Sequence, residues 1–326
     1  MNITFLGAGA WGTALARLLA RQKHHVTLWD FFPETVETIN RRHCNERYLP
    51  GIALPESLRG EADAAKAVAG AEIVVVASVS KGFRNVTKTL GAYDGIVVSV
   101  TKGIEFETGM TMTDILAENS PKSRVVAMSG PTLALEVAKG VPTAIVAAST
   151  DTAAAQAVQA LFHSPTFRVY TSSDVHGVEL GGALKNVIAI GAGVCDGLGF
   201  GDNSKAALVT RAVAEMRRLG VACGAQAETF TGLSGLGDLM VTCFSKLSRN
   251  RGFGERLGKG EKAEAIVASM TAVAEGYPTA RAAHELARRR NVVTPVIDEA
   301  YAMLYEGKDA SKALQDLTAR ESKAED

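Results

Sequence analysis

At 326 residues, with 47% hydrophobic and 21% charged side chains, the chain has apolar material for two packed domains and falls outside the intrinsically disordered class. Its 35 Lys and Arg residues balance 35 Asp and Glu, so net charge offers no reason to bind bulk nucleic acid or an anionic membrane. Cys44, Cys195, Cys223 and Cys243 form no CxxC pair, the histidines form no HxxxH or HExxH, and neither a basic leader nor an 18-residue apolar run stands out. The expectation is a cytoplasmic protein with reduced thiols, no metal site, no nucleic-acid partner and no membrane span.

Apolar runs at residues 3–6, 26–29, 73–77, 96–100, 124–128 and 144–147 read as short strands buried on both faces. Helical stretches at 11–22, 34–42, 63–68, 82–90 and 110–119 fall between them. This alternation predicts an open, doubly wound parallel sheet. A helix over 151–162 and a strand over 167–170 complete it. Beyond residue 174 only helical patterns occur, at 175–194, 204–223, 236–242, 250–257, 262–269, 278–290, 295–305 and 310–318, punctuated by Gly, Pro, Ser and Asp. An α/β domain over 1–180 and an all-α domain over 181–326 follow, with the boundary inside the window 170–190. The charged tail at 319–326 is expected to fray.

Gly7-Ala8-Gly9-Ala10-Trp11-Gly12 is a GxGxxG that leaves the first strand and opens the first helix. With a second strand ending at Trp29 and an acid at Asp30, this context marks a Rossmann-type dinucleotide site. Gly7 permits the tight turn, Gly9 lets backbone approach a pyrophosphate, and Gly12 allows close helix–strand packing. The helix start offers free amides and a positive dipole end to the phosphates. Asp30 stands where a carboxylate accepts from the adenosine ribose hydroxyls and would repel a 2′-phosphate. Phe31 and Phe32 add no cation, and the nearest downstream base is Arg41. NAD is therefore favoured over NADP, with dual use left open. Asp30 also suits an N-cap before Pro33-Glu34.

Thr101-Lys102-Gly103 and Ser129-Gly130-Pro131-Thr132 each follow a strand, at the edge where open α/β sheets bind ligands. In the helical half, Gly181, Gly182, Gly191 and Gly193 crowd one apolar stretch. Each interior Gly costs about 1 kcal/mol of helix propensity relative to Ala, which implies close backbone packing or a bound ligand. Lys185 is the only cation there. Burial would lower its pKa toward neutrality, whereas a lysine snorkelling to solvent would keep an ordinary one. Gly235-Leu236-Gly237-Asp238-Leu239 puts an acid on a sharp turn. Ser248-Arg249-Asn250-Arg251 opens a helix, with Ser248 as N-cap, Arg249 and Asn250 as an anion site, and Arg251 as a solvated charge.

At these residues the chain resembles the bacterial NAD(P)-dependent glycerol-3-phosphate dehydrogenases, over essentially its whole length. The carrying segments are GAGAWGTALA at 7–16, Tyr48-Leu49-Pro50 within 45–50, TKGIE at 101–105, SGPT at 129–132, GGALKNVIAIGAG at 181–193, GLGDL at 235–239, SRNR at 248–251 and VAEG at 273–276. The resemblance implies reversible hydride transfer between sn-glycerol 3-phosphate and dihydroxyacetone phosphate, supplying glycerophospholipid synthesis. It implies Lys185 as proton acceptor in oxidation and donor in reduction, Asp238 as holder of its ammonium, and Lys102 as positive charge near the reacting oxygen and phosphate. Gly130, Thr132, Ser248, Arg249 and Asn250 would bind substrate. Ala10, Trp11, Lys102, Ala134, Arg249, Val273 and Glu275 would contact the dinucleotide, and Phe31 beside Asp30 joins them. A homodimer follows only by analogy. Two departures stand out: Val79 where relatives often place Pro, and Phe31 where they often carry a polar or basic residue. A dehydrogenase of the same architecture for another hydroxy or sugar acid, and a non-catalytic NADH sensor, are the alternatives.

Overall fold

The computed structural model describes residues 1–319, so the expected fraying of the tail lies, except for Ala319, outside the described residues. The first half contains β1 (Asn2–Leu6), α1 (Ala10–Arg21), β2 (His25–Trp29), α2 (Pro33–Arg42), β3 (Cys44–Asn45), β4 (Leu49–Ala53), β5 (Arg59–Glu61) and α3 (Ala64–Val68). It continues with β6 (Ile73–Val76), α4 (Ser80–Thr87), β7 (Ile96–Ser99), α5 (Met112–Asn119), β8 (Arg124–Ser129), α6 (Ala134–Lys139), β9 (Thr143–Ala148), α7 (Thr152–Phe162) and β10 (Phe167–Ser172). The helical half has α8 (Val175–Gly197), α9 (Asp202–Ala222), α10 (Asp238–Phe244), α11 (Arg249–Gly258), α12 (Ala263–Ser269), α13 (Gly276–Arg289), α14 (Pro295–Tyr305) and α15 (Ala310–Thr318).

The central strands β6 and β7 are buried along their whole length because branched apolar residues project from both faces into the covering helices. The sheet order is β10-β9-β8-β7-β6-β1-β2-β5. The winding reverses between β1 and β6, which leaves a crevice at their carboxyl ends, beside Gly7 and Ala77.

Three details correct the sequence expectation. The sheet is not wholly parallel: β9 runs antiparallel to β8, pairing Ala127 with Ala148 and Ser129 with Val146. The segment joining them carries α6, which packs on α1 through Ala138 and Ala14 instead of crossing back over the sheet. The six-residue α6 was not expected, being too short for a 3.6-residue period to show. The antiparallel β3–β4 pair and the edge strand β5 were also not expected, since Pro50 and Gly51 interrupt one and Arg59-Gly60-Glu61 is polar.

Strands give way to helices between Ser172 and Val175. By length and composition α8 could cross a membrane, contrary to the expectation that no such stretch exists, but 94% of its apolar window is buried inside the protein. Where α8 crosses α11, glycines of both helices sit against backbone. A Cβ on Gly193 would collide with Arg251 O of α11, one on Gly254 with Ile190 O of α8, and one on Gly258 would stand 2.6 Å from Val194 O. All four cysteines are free thiols.

Candidate active site

At the carboxyl end of β1, Gly7 has φ +124°, and a Cβ there would meet Ala77 O at 2.7 Å. Only glycine fits that turn. A Cβ on Gly9 would meet nothing within 4 Å, so the loop leaves open space above its backbone. The first intrahelical bond of α1 runs from Thr13 N to Gly9 O, leaving the amides of Ala10, Trp11 and Gly12 without helical partners. The buried Trp11 Nε1 also lacks a partner among the described residues. Free amides, an open backbone and an orphaned indole N–H fit the pyrophosphate end of a dinucleotide.

Asp30 is buried, and Ala8 N donates to its Oδ2 at 3.1 Å while Phe32 N donates to Oδ1 at 2.9 Å. Burial raises its pKa, against those two amides and the charge of Arg47. Asp30 therefore braces the glycine loop. Phe31 is 78% exposed. Arg41 pairs with Glu37 in the last turn of α2 and takes no part here. The cation near Asp30 is Arg47, which sequence reasoning passed over because it is far along the chain.

Across the crevice, Lys102 follows β7, Gly130 and Thr132 follow β8, Lys185 lies mid-α8 and Asp238 begins α10. The fold brings these distant segments together. Asp238 Oδ1 pairs with Lys185 Nζ at 2.8 Å and Oδ2 with Lys102 Nζ at 2.6 Å. Lys102 Nζ also donates to Gly130 O at 3.1 Å and Thr132 Oγ1 at 3.4 Å. Lys185 Nζ donates to Thr242 Oγ1 at 2.7 Å, and Thr242 Oγ1 donates to Asp238 O at 2.6 Å. Lys185 does not snorkel; it is 5% exposed. Burial lowers its pKa to about 8, with the Asp238 carboxylate opposing and the Lys102 charge assisting. Gly182 makes room for this arrangement: a Cβ there would collide with Ser129 Oγ and lie 3.5 Å from Lys102 Cγ.

Ser248 caps α11 by accepting from Arg251 N at 3.2 Å. The Arg249 side chain remains open to solvent although protein surrounds most of it, and it donates no hydrogen bond to a described residue. Burial lowers its pKa and Glu275 opposes. Asn250 also has protein partners. Its amide donates to Asn186 Oδ1 at 2.8 Å and its oxygen accepts from Gly276 N at 2.9 Å, so it holds Asn186 and the start of α13 in place. Arg251 is not a solvated charge; it pairs with Asp196 at 2.6 Å and Glu255 at 3.3 Å. Glu275 accepts from Ser80 N at 3.1 Å and Ser80 Oγ at 2.6 Å, an anion at the amino end of α4. Ala134 opens α6, and Val273 is 44% exposed just before α13. Thr242 and Asn186 escaped the sequence reading because a lone Thr or Asn in an apolar helix carries no spacing signal.

Residues 2–155 match the family described as NAD-dependent glycerol-3-phosphate dehydrogenase N-terminus, and residues 174–315 its C-terminus. A glycerol-3-phosphate dehydrogenase [NAD(P)+] of Syntrophotalea carbinolica is 48% identical over 331 residues, covering 100% of this chain and 99% of its own. The protein of that name from Nitratidesulfovibrio vulgaris is 48% identical over 332 residues and covers 100% of both chains. The crystal structure of glycerol-3-phosphate dehydrogenase from Coxiella burnetii superposes with a TM-score of 0.95 at 35% identity, covering 98% of this chain and 99% of that one.

Proposed function

The chain belongs to the NAD-dependent glycerol-3-phosphate dehydrogenase family, and from that premise we propose how its residues divide the work. The reaction is reversible NAD(P)-dependent hydride transfer between sn-glycerol 3-phosphate and dihydroxyacetone phosphate, feeding glycerophospholipid synthesis. The observation that carries the assignment is the Asp238 carboxylate bridging two lysines at the carboxyl edge of the sheet.

A bound nicotinamide supplies the hydride chemistry; the chain supplies position, charge and protons. Lys185 Nζ gives its proton to the carbonyl oxygen during reduction and takes the hydroxyl proton during oxidation. Its pKa near 8 suits both directions, and such transfer contributes roughly 10²–10⁴-fold. Asp238 fixes the ammonium, and Thr242 relays that hold through its own bond to Asp238 O. Lys102, tied to Gly130 and Asp238, adds positive charge where the carbonyl oxygen becomes negative. Arg249, at the amino end of α11 behind the Ser248 cap, receives the substrate phosphate. Thr132 and Gly130 form the facing wall, while Asn250 acts through Asn186 and Gly276.

The glycine loop, with Ala10, Trp11, Ala134, Val273 and Glu275 around it, holds the dinucleotide. Residues 1–180 act as its domain and 181–326 as the substrate and catalytic domain. Asp30 makes NADH the preferred reductant, with NADPH still accepted. We place the enzyme in the cytoplasm, in keeping with its free thiols, and a homodimer would follow the common habit of such architectures.

The test is to follow nucleotide absorbance with dihydroxyacetone phosphate, running NADPH and unphosphorylated dihydroxyacetone alongside. Turnover that needs the phosphate and is faster with NADH supports the reading. Equal turnover of dihydroxyacetone would overturn the phosphate role of Arg249, and faster turnover with NADPH would overturn the cofactor preference.

A further inference from the structure

The Asn45–Pro50 segment, singled out by its Tyr48-Leu49-Pro50, has no role in the chemistry above. Its placement suggests one. Asn45 Nδ2 donates to Ala8 O and to Thr13 Oγ1, each at 2.8 Å, and Tyr48 N donates to Asn45 Oδ1 at 3.3 Å. A buried Asn thus fastens this hairpin to the glycine loop and brings residues 46–48 over the carboxyl end of β2. There the Arg47 guanidinium carbon lies 4.0 Å from the ring centroid of Phe32 and 5.3 Å from that of Tyr48. Arg47 is exposed, and its charge reaches Asp30. Phe31 and Phe32 occupy the positions after β2 where a cation would ordinarily face an adenosine 2′-phosphate. Arg41 is two turns away along α2, about 12 Å at 1.5 Å per residue, and engaged with Glu37.

We propose that Arg47 is the residue through which this chain receives a 2′-phosphate, so that cofactor choice is a contest between Asp30 and Arg47. The inference rests on the adenosine ribose lying at Asp30, as argued above. A guanidinium stacked on an aromatic ring is weakly hydrated and already oriented, so little is lost when it forms paired hydrogen bonds to a phosphate. Phe32 is in this arrangement the platform for a cation supplied from the hairpin. NADH, which has a hydroxyl in place of the phosphate, would use Asp30 and leave Arg47 unengaged.

The experiment measures dissociation constants of NADH and NADPH by nucleotide fluorescence for the wild type, Arg47→Ala, Arg47→Lys and Asp30→Asn. Arg47→Ala is expected to weaken NADPH by about 10–100-fold, the range for a charged hydrogen-bonded contact, and NADH by less than about 2-fold. Arg47→Lys should recover part of the NADPH loss. Raising salt should weaken NADPH more than NADH in the wild type, with the difference shrinking in Arg47→Ala. Equal weakening of both nucleotides by Arg47→Ala, or weakening of neither, overturns the proposal. Asp30→Asn separates the two readings: it should tighten NADPH relative to NADH. If that ratio does not move, the adenosine site is not at Asp30 and the underlying reading fails as well. If it moves while Arg47→Ala has no effect, Arg47 alone is wrong.

Discussion

Burial first, and then one carboxylate and a second ammonium beside it, set the proton affinity of Lys185, whose ammonium also donates to the Thr242 hydroxyl. As the proton donor in reduction it must be charged, so carbonyl reduction should fall as pH rises through about 8. As acceptor in oxidation it must be neutral, so oxidation should fall as pH drops through the same value. Because Asp238 raises that pKa, Asp238→Asn should move both limbs to lower pH. Lys185→Ala should lower turnover by about 10²–10⁴-fold while NADH fluorescence titrations remain unchanged. A pH profile identical in Lys185→Ala and wild type would assign the proton to another group. At the other end of the substrate, Arg249→Ala should cost about 1.5–3 kcal/mol in kcat/KM for the phosphorylated ketone. Kinetics with dihydroxyacetone as the control substrate would show whether that loss belongs to the phosphate.

Elements meet in this fold through backbone as much as through side chains. The crossing of α8 and α11 places Gly193 and Gly197 of one helix against Arg251, Glu255 and Gly258 of the other, with Gly254 against Ile190. Four of the six glycines of α8, at 181, 182, 191 and 193, were legible as a propensity cost that something must offset. That the offset is packing at Gly193, and at Gly182 clearance for Ser129 and Lys102, needed the neighbour to be known. Gly193→Ala would force backbone apart, so it should lower stability by about 1–3 kcal/mol or more, read as a fall in the denaturation midpoint. Unchanged stability would show that α11 can move aside. Val79 is a milder case. Its φ of −67° is one a proline would also adopt.

The two halves are held in register by buried polar ties. Glu179 of α8 accepts from Thr113 N at 2.9 Å and from Thr113 Oγ1, at the amino end of α5. The half-buried Glu275 does the same for α4 through Ser80, and at the surface the exposed Arg281 of α13 stacks 4.0 Å over Phe106. Burial pushes the Glu179 carboxyl up to about 7. A raised carboxyl pKa contributes stability that is fully present below the ordinary value near 4.5 and is lost as pH rises through about 7. Glu215, which accepts from Val296 N and Ile297 N at the start of α14, is raised to about 7 as well and acts with the same sign. Glu179→Gln should therefore reduce, without abolishing, the decline in stability between about pH 5 and 7, as urea midpoints measured across that range would show. A slope unaffected by the substitution would place the titration elsewhere.

Much of this was determined by the sequence itself. Strand–helix alternation, the glycine fingerprint, the residues after each central strand and the load of glycine in α8 are local patterns, and local patterns follow from propensity and burial within a few residues. The antiparallel turn of β9, the hairpin at 44–53, the embedding of Arg251 and the use of Asn250 as a brace depended on which surfaces meet. So did the pairing of Lys185 and Lys102 on one carboxylate, and the approach of Arg47 to Asp30. Charge and hydrogen-bond partners are properties of distance in space, and for residues far apart in the chain only the packing of α8 against the sheet and of the hairpin against the glycine loop sets that distance.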